Sequence, residues 1–439
     1  MLGSWRCRAD KSSVLKSKNE EIMKRLVFLT ARLPFPASSG RKNVMYNYCK
    51  ILHETYGYDI TVISYLEEGD DPNKKPDFIN DVIVLPNVSA KKKIKNLMLK
   101  TFFQRKWPMQ VSLFWDSLNA VRIKEVLDEI KPDVVIADMV RMTEYAREYQ
   151  GYKIADLDDM LSIRYERQLS QDMASINPYG AYLYSLPKNV QKILSSSGMK
   201  TAILKSEVSL LKRYERNIAK SYNKIVFVAD REAKILNNEL KFDRAVAVPL
   251  GVDVEYYGEF FDKQEKNQHT IAFLGAMSVA HNEAGAIHFI RDIFPLIQER
   301  VSDAQFIVVG GGITDQLKKA AKGNDSVVFT GRVEDVRTEV GKCQVFVCPL
   351  TFGSGIKTKN LEAMAMGIPV VTTTIGAENI NAIDGQDWLV ADDDQAFANQ
   401  VVRVMTDTCL SERLTRNGNS YVKENFTWNV AKERMKQIV

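Results

Sequence analysis

The sequence predicts an α/β fold of two successive parallel-sheet domains facing a common cleft. Three observations lead there. Short Val/Ile-rich runs recur along the 439 residues, separated by helical patterns, as strands covered on both faces by helices do. A strongly polar stretch from Gly251 to Thr270 interrupts that rhythm, which then resumes. The length suits two domains of roughly 220 residues each.

Met1 to Lys24 is polar and basic without an apolar centre. It lacks the form of a signal peptide and reads as a disordered leader over 1–23, with Met23 as a candidate start. Residues 24–255 form the first domain. Arg25 to Ala31 (RLVFLTA) is its opening strand, followed by a Pro/Gly-rich loop and a helical pattern from Arg41 to Thr55, the start of a βαβ unit. Further strands are expected at Asp59–Ser64, Asp81–Leu85, Asp133–Ala137, Lys153–Leu157, Lys224–Ala229 and Ala245–Pro249. A helical insertion occupies about 161–220, with a loop at Ser195 to Gly198. Gly251 to Thr270 is expected to link the domains. The second domain, 256–425, carries strands at Thr270–Leu274, Gln305–Val309, Ser326–Thr330, Gln344–Cys348, Pro369–Thr372 and Trp388–Val390. A helical segment, 426–439, ends the chain.

Composition narrows the class. Lys and Arg number 60 against 55 Asp and Glu, a net charge of +5, and 45% of residues are hydrophobic. That balance excludes disordered, collagen-like and disulfide-stapled chains. No uncharged apolar run reaches the roughly 18 residues of a membrane-spanning helix. Cys7, Cys49, Cys343, Cys348 and Cys409 form no CxxC pair, and only four His are present, so a zinc site is not expected. Such scattered thiols fit a reducing, cytoplasmic setting, with Cys343 and Cys348 filling the core.

The stretch Phe352 to Pro369 (FGSGIKTKNLEAMAMGIP) carries the most chemistry. Gly353, Ser354, Gly355 and Ile356 lie where a helix begins, so free N–H groups and the positive helix end converge there. Lys357 and Lys359 add cations to that first turn, a disfavoured place unless an anion binds. Glu362, one turn on, can accept from ligand hydroxyls. A plain glycine turn with solvated lysines is the competing reading. Gly310, Gly311 and Gly312 follow another apolar strand without completing GxGxxG. Gly275 and Gly331 likewise end strands, so three Gly-terminated strands are expected on one ligand-facing edge. No GxxxxGK[ST] occurs, which disfavours a P-loop enzyme. No GxSxG or Cys/His nucleophile pattern occurs either, which disfavours a hydrolase.

In the first domain Ser38, Ser39, Gly40 and Arg41 close the first loop, where Arg41 is a candidate anion contact and a surface turn the alternative. Asp138 ends a strand towards the same edge, with Arg141 a turn further, and joins Lys357 and Lys359 as a catalytic candidate. Asp156, Asp158 and Asp159 could hold a divalent ion against a diphosphate or cap a helix; capping or acceptor contact is preferred, and no metal is expected. Lys91 to Lys106 (KKKIKNLMLKTFFQRK) holds seven positive charges and no acid, with Ile94, Leu97, Met98, Leu99, Phe102, Phe103 and Trp107 interleaved. It reads either as a core-packing helix with a lysine face or as a surface for anionic membrane. No nucleic-acid recognition module is visible.

Several segments resemble one family. VVFTGRVEDV (Val327–Val336), VFVCPL (Val345–Leu350), GSGIKTKNLEAMAMGIPVVTT (Gly353–Thr373) and IGAE (Ile375–Glu378) look like the carboxyl half of a GT-B glycosyltransferase of family 4, nearest to sugar transferases of bacterial exopolysaccharide and cell-surface glycan clusters. PLGVD (Pro249–Asp253) is similar to its boundary motif, Gly275–Gly285 to its Gly-x-Met…Asn segment, and Ser38–Arg41 to its Gly-rich loop. The resemblance covers about Arg25 to Trp428. It implies two Rossmann-like domains, a terminal helix crossing back to the first, and metal-independent transfer with retention from a UDP- or GDP-sugar to a glycan or lipid-linked acceptor, with no bound cofactor. Glu362 matches the second Glu of Glu-x7-Glu, which accepts from the donor ribose. Lys359 and amides near Gly355 would hold the diphosphate, and Arg332 and Val333 would lie by the base. Two departures stand out: Ser354 takes the place of the first motif Glu, and the Arg…Lys pair after the first strand of the second domain is missing, a charge Lys357 and Lys359 would replace. The function expected is retaining transfer in surface polysaccharide synthesis, at the cytoplasmic face of the membrane. A catalytically inert GT-B subunit and a GT-B sugar-nucleotide epimerase, with His281 near the cleft, are the alternatives.

Overall fold

The structure, a computed structural model, describes residues 23–37, 40–169, 197–259, 266–353 and 355–439. The leader, Ser38, Ser39, Ser195, much of the helical insertion and Ser354 lie outside the described residues.

Seven parallel strands build the first sheet: β1 (Lys24–Thr30), β2 (Tyr58–Ser64), β3 (Asp81–Val84), β4 (Val134–Asp138), β5 (Tyr152–Asp158), β6 (Lys224–Phe227) and β7 (Ala245–Ala247), in the order β3-β2-β1-β4-β5-β6-β7. Six more build the second: β8 (Asn267–Leu274), β9 (Gln305–Val309), β10 (Val327–Gly331), β11 (Cys343–Cys348), β12 (Val370–Thr372) and β13 (Leu389–Val390), in the order β10-β9-β8-β11-β12-β13. Strand β1 shows why these segments read as unbroken apolar runs. Side chains alternate across a sheet, yet Leu26 and Phe28 on one face and Val27 and Leu29 on the other are all fully buried, because helices cover both faces.

Each sheet changes winding direction once, between β1 and β4 and between β8 and β11. Such switch points leave a crevice outside the carboxyl ends of the strands. The chain then returns. The helix Trp428–Met435 reaches the first domain, where Tyr56 Oη donates to the Lys432 carbonyl at 2.5 Å. Val252 N donates to the Phe426 carbonyl at 2.7 Å, so the two chain segments joining the domains run side by side. Gly251 belongs to that crossing: a Cβ there would lie 2.3 Å from the Trp428 ring.

Two local expectations need correction. The presumed linker is shorter than Gly251–Thr270: Asp253 caps a helix at Val254–Gly258 by accepting from Tyr256 N, and β8 already begins at Asn267, whose N–H donates to the Lys342 carbonyl. Polar residues at a sheet margin mimicked a linker. Gly198, expected in a loop, lies in the first turn of the helix Ser197–Ser221. Leu204, Leu211, Tyr214 and Ile218 of that helix are buried, and their three-to-seven-residue spacing holds it helical.

Candidate active site between the two domains

The crevice is a cavity of about 1000 Å³ whose walls come from both domains: Arg41, Asp158 and Arg164 from the first, Gly355, Ile356 and Glu362 from the second. Gly40 opens the helix Gly40–Glu54 at its edge.

The second-domain wall is the turn after β11. Gly353 and Gly355 adopt φ of +122° and +76°, conformations open to glycine, and deliver the chain into the helix Thr358–Ala365. Lys357 Nζ donates to the Gly355 carbonyl at 2.7 Å, and Lys359 Nζ to Asn282 Oδ1 at 2.6 Å, 4.6 Å from the Phe273 ring centre. Lys357 is buried and Lys359 half-buried, each with a neutral hydrogen-bond partner. Burial lowers both pKa values, that of Lys357 to about 8. Burial and then the two lysines press His281 down to about 4, so its ring is neutral at pH 7. Burial raises the Glu362 carboxyl, partly offset by hydrogen bonds from Thr358 and Tyr257.

The glycine-ended strands meet beside these lysines. A Cβ on Gly275 would lie 2.7 Å from Asn282 Nδ2 and 3.0 Å from Lys359 Nζ, and one on Gly310 only 2.0 Å from the Gly275 carbonyl oxygen. The glycines therefore let backbones and the Lys359 ammonium approach one another. Gly311 packs against the Cβ of Arg332. Arg332 is exposed and Val333 half-buried at the end of β10, on the same margin. Ile356 packs on the core.

The first-domain wall corrects two expectations. Arg41 does meet anions, but the chain's own. Its Nη2 lies 2.5 Å from Asp138 Oδ1 and 2.7 Å from Asp156 Oδ2, and its Nη1 3.1 Å from Asp158 Oδ1. Burial would lower the Arg41 pKa, but the three carboxylates outweigh it. Asp138 is thereby occupied rather than open to a reacting group, and the Asp-x-Asp pair shares the same guanidinium. The cause is topological: β1, β4 and β5 are neighbours, so their carboxyl ends converge on the first helix turn. Burial nevertheless pushes Asp156 up to about 6. Met139 and Asp158 have positive φ, +54° and +67°, strain of a kind that collects at functional sites.

Arg164 and Glu232 were not singled out from the sequence. Arg164 pairs with Asp159 and reaches the Gly355 turn, its Nη2 3.7 Å from where a Gly355 Cβ would stand. Glu232 lies in the first turn of the helix Asp230–Leu240 and lines the cavity. Arg167 forms an ion pair across the cleft with Glu378. Ordinary helical sequence surrounds each of these, so only the assembled crevice reveals them.

Two facing parallel-sheet domains with a charged crevice at their switch points are the architecture of the GT-B fold. Residues 268–407, within the second domain, match the family described as Glycosyl transferases group 1. Over 421 residues the chain is 22% identical to an uncharacterized 44.6 kDa protein in the cps region of Klebsiella pneumoniae, covering 92% of this chain and 97% of that protein. It is 27% identical over 205 residues to the phosphatidyl-myo-inositol mannosyltransferase of Mycobacterium tuberculosis (strain CDC 1551 / Oshkosh), covering 44% of this chain and 53% of that enzyme. The fold is shared with HepE of Anabaena solved with UDP, at a TM-score of 0.60 and 12% identity, covering 94% of this chain and 99% of that one.

Proposed function

We propose that the protein moves a sugar, with retention, from a nucleoside-diphosphate donor on the second domain to a hydroxyl of a glycan or lipid-linked acceptor on the first, in surface polysaccharide synthesis. The observation that carries this reading is the pair Lys357, buried, and Lys359, half-buried, at the switch point with only neutral hydrogen-bond partners among the described residues. Burying an ammonium without an anion is costly, and a diphosphate would offset that cost. The relatives' names, a cps-region protein and a lipid mannosyltransferase, support the setting, and HepE's bound UDP supports the donor class.

In this mechanism the bond from the anomeric carbon to the diphosphate oxygen breaks and its electron pair stays on that oxygen. Lys359, Lys357 and the amides near Gly355 stabilise the growing charge. The acceptor oxygen bonds to the anomeric carbon on the same face and passes its proton to the departing phosphate oxygen. Glu362 holds donor hydroxyls. Lysine charge takes the part a divalent cation plays elsewhere, and no cofactor is needed.

No helix among the described residues is long and apolar enough to cross a membrane. The lysine-rich segment over Ala90–Asn96 and Leu97–Phe103 leaves Phe103 83% and Met98 61% exposed. That supports docking on the anionic cytoplasmic leaflet, where a lipid-linked acceptor would be presented.

A donor screen following released UDP or GDP, with wild type and Lys359→Ala, tests the reading. Equal turnover in both removes the phosphate assignment. Wild type that binds donor but never releases nucleotide is an inert subunit, and donor converted without acceptor, followed by NMR, is an epimerase.

A further inference from the structure

Outside the chain crossing, the two domains meet at the ion pair between Arg167 and Glu378. The Glu378 side chain is 9% exposed, and its Oε2 has no hydrogen-bond partner among the described residues. A buried carboxylate is costly unless a cation accompanies it. Glu378, on the second domain, therefore depends on a charge that the first domain supplies, and parting the domains removes it. Burial and then Arg231 lower the Arg167 pKa, while Glu232 and Asp159 of its own domain raise it. The cost of parting thus falls mainly on Glu378.

Each partner is anchored to its own domain. Arg167 stands on the helix Leu161–Gln168. At the start of that helix the fully buried Glu215 accepts from Ser162 N at 3.0 Å, and further along the Tyr165 hydroxyl accepts from Gln110 Nε2 at 2.9 Å. Arg164, three residues before Arg167 and so on the same helix face, reaches the Gly355 turn. Glu378 lies in the turn after β12. Asn360 Nδ2 donates to the Gly376 carbonyl at 2.9 Å, which ties that turn to the helix Thr358–Ala365 bearing Lys359 and Glu362.

We propose that Arg167 and Glu378 form a latch that holds the domains together and so sets the lysine-bearing helix against the first-domain wall. Both are positioning residues, since neither lines the cavity. The kinetic consequence rests on the transferase reading; the conformational one does not. Closure of this kind assembles a site from two walls, and a protein that closes less often binds its donor less tightly.

Two measurements test the latch on wild type, Arg167→Ala, Glu378→Gln, the double variant and Arg167→Lys, each checked for folding by thermal melting. Small-angle X-ray scattering of the free protein reads how far the domains stand apart. Release of UDP from UDP-glucose and of GDP from GDP-mannose gives KM and kcat separately. Either single variant should show a larger radius of gyration than wild type. Its KM for the donor should rise about tenfold with kcat unchanged, because apparent affinity falls with the closed fraction. Arg167→Lys, which keeps the charge, should stay close to wild type. The double variant should be no more open than either single one, as expected when both remove one interaction. Folded single variants with wild-type dimensions refute the latch, and so do losses confined to kcat or effects that add in the double variant. If wild type turns over neither donor, the transferase reading loses its support while scattering alone decides the latch, unchanged dimensions in the single variants refuting it.

Discussion

Lys359 Nζ reaches Asn282 Oδ1 at 2.6 Å, across the carboxyl end of β8, where Gly275 leaves room for it. The ammonium is thus positioned before any ligand arrives, which is the condition for stabilising a charge that grows during reaction. Lys359→Ala should lower the turnover of nucleotide release about 100-fold while thermal stability changes little. Stopped and continuous assays of UDP or GDP release measure it, and undiminished turnover counts against the assignment.

Lys357 supplies a pH signature. Its folded pKa, lowered to about 8 by burial first, lies below the ordinary lysine value of about 10.4. Between those values the unfolded chain binds more protons, so this group makes the free protein more stable as pH rises. A diphosphate prefers the charged form. Nucleoside-diphosphate affinity should therefore fall as pH rises above about 8, approaching tenfold per pH unit, and Lys357→Met should flatten that profile. Calorimetry from pH 6.5 to 9.5 reads both curves.

Arg41 pairs with three carboxylates at once. Arg41→Ala leaves Asp138, Asp156 and Asp158 crowded without a cation, and removing one partner of a buried pair costs about 3–5 kcal/mol. Acid should relieve part of that loss by protonating the stranded carboxyls, so the deficit in denaturant unfolding is smaller at pH 5 than at pH 8. Equal deficits at the two pH values would show that the carboxylates are not its source.

Gly310 joins two strand ends. Its φ of +133° and the 2.0 Å that a Cβ would leave to the Gly275 carbonyl oxygen make Gly310→Ala destabilising by about 3 kcal/mol. Urea midpoints against wild type measure it. Gly323→Ala is the comparison, because its φ of +86° carries strain but open space surrounds its Cβ.

Phe103 and Met98 project from the lysine-rich segment. Met98→Ser with Phe103→Ser should weaken binding to phosphatidylserine-containing vesicles about tenfold or more, while nucleotide release in solution stays unchanged. Co-sedimentation with and without phosphatidylserine checks it, and undiminished sedimentation of the double variant means another surface makes the contact.

The strands were legible as short Val/Ile-rich runs: QFIVV at Gln305–Val309, with Phe306, Val308 and Val309 fully buried, and DVIV at Asp81–Val84, a partly buried edge strand, need no tertiary context to be read. The Gly353–Glu362 turn was legible because backbone freedom, cations and a helix start lie within ten residues. Arg41 was misread because its partners stand 97, 115 and 117 residues away, and an arginine near a glycine loop looks the same whether its anion is a ligand or the chain itself. Arg164 and Glu232 gave no local sign.

The sequence by itself determined the two parallel sheets, their order along the chain and the lysine-bearing turn, since burial pattern and backbone conformation are local properties. Only the tertiary structure decided which charges face one another across the crevice. Asp138, Asp156 and Asp158 share Arg41 there, because strand order, and not sequence distance, sets which side chains share a low-dielectric space.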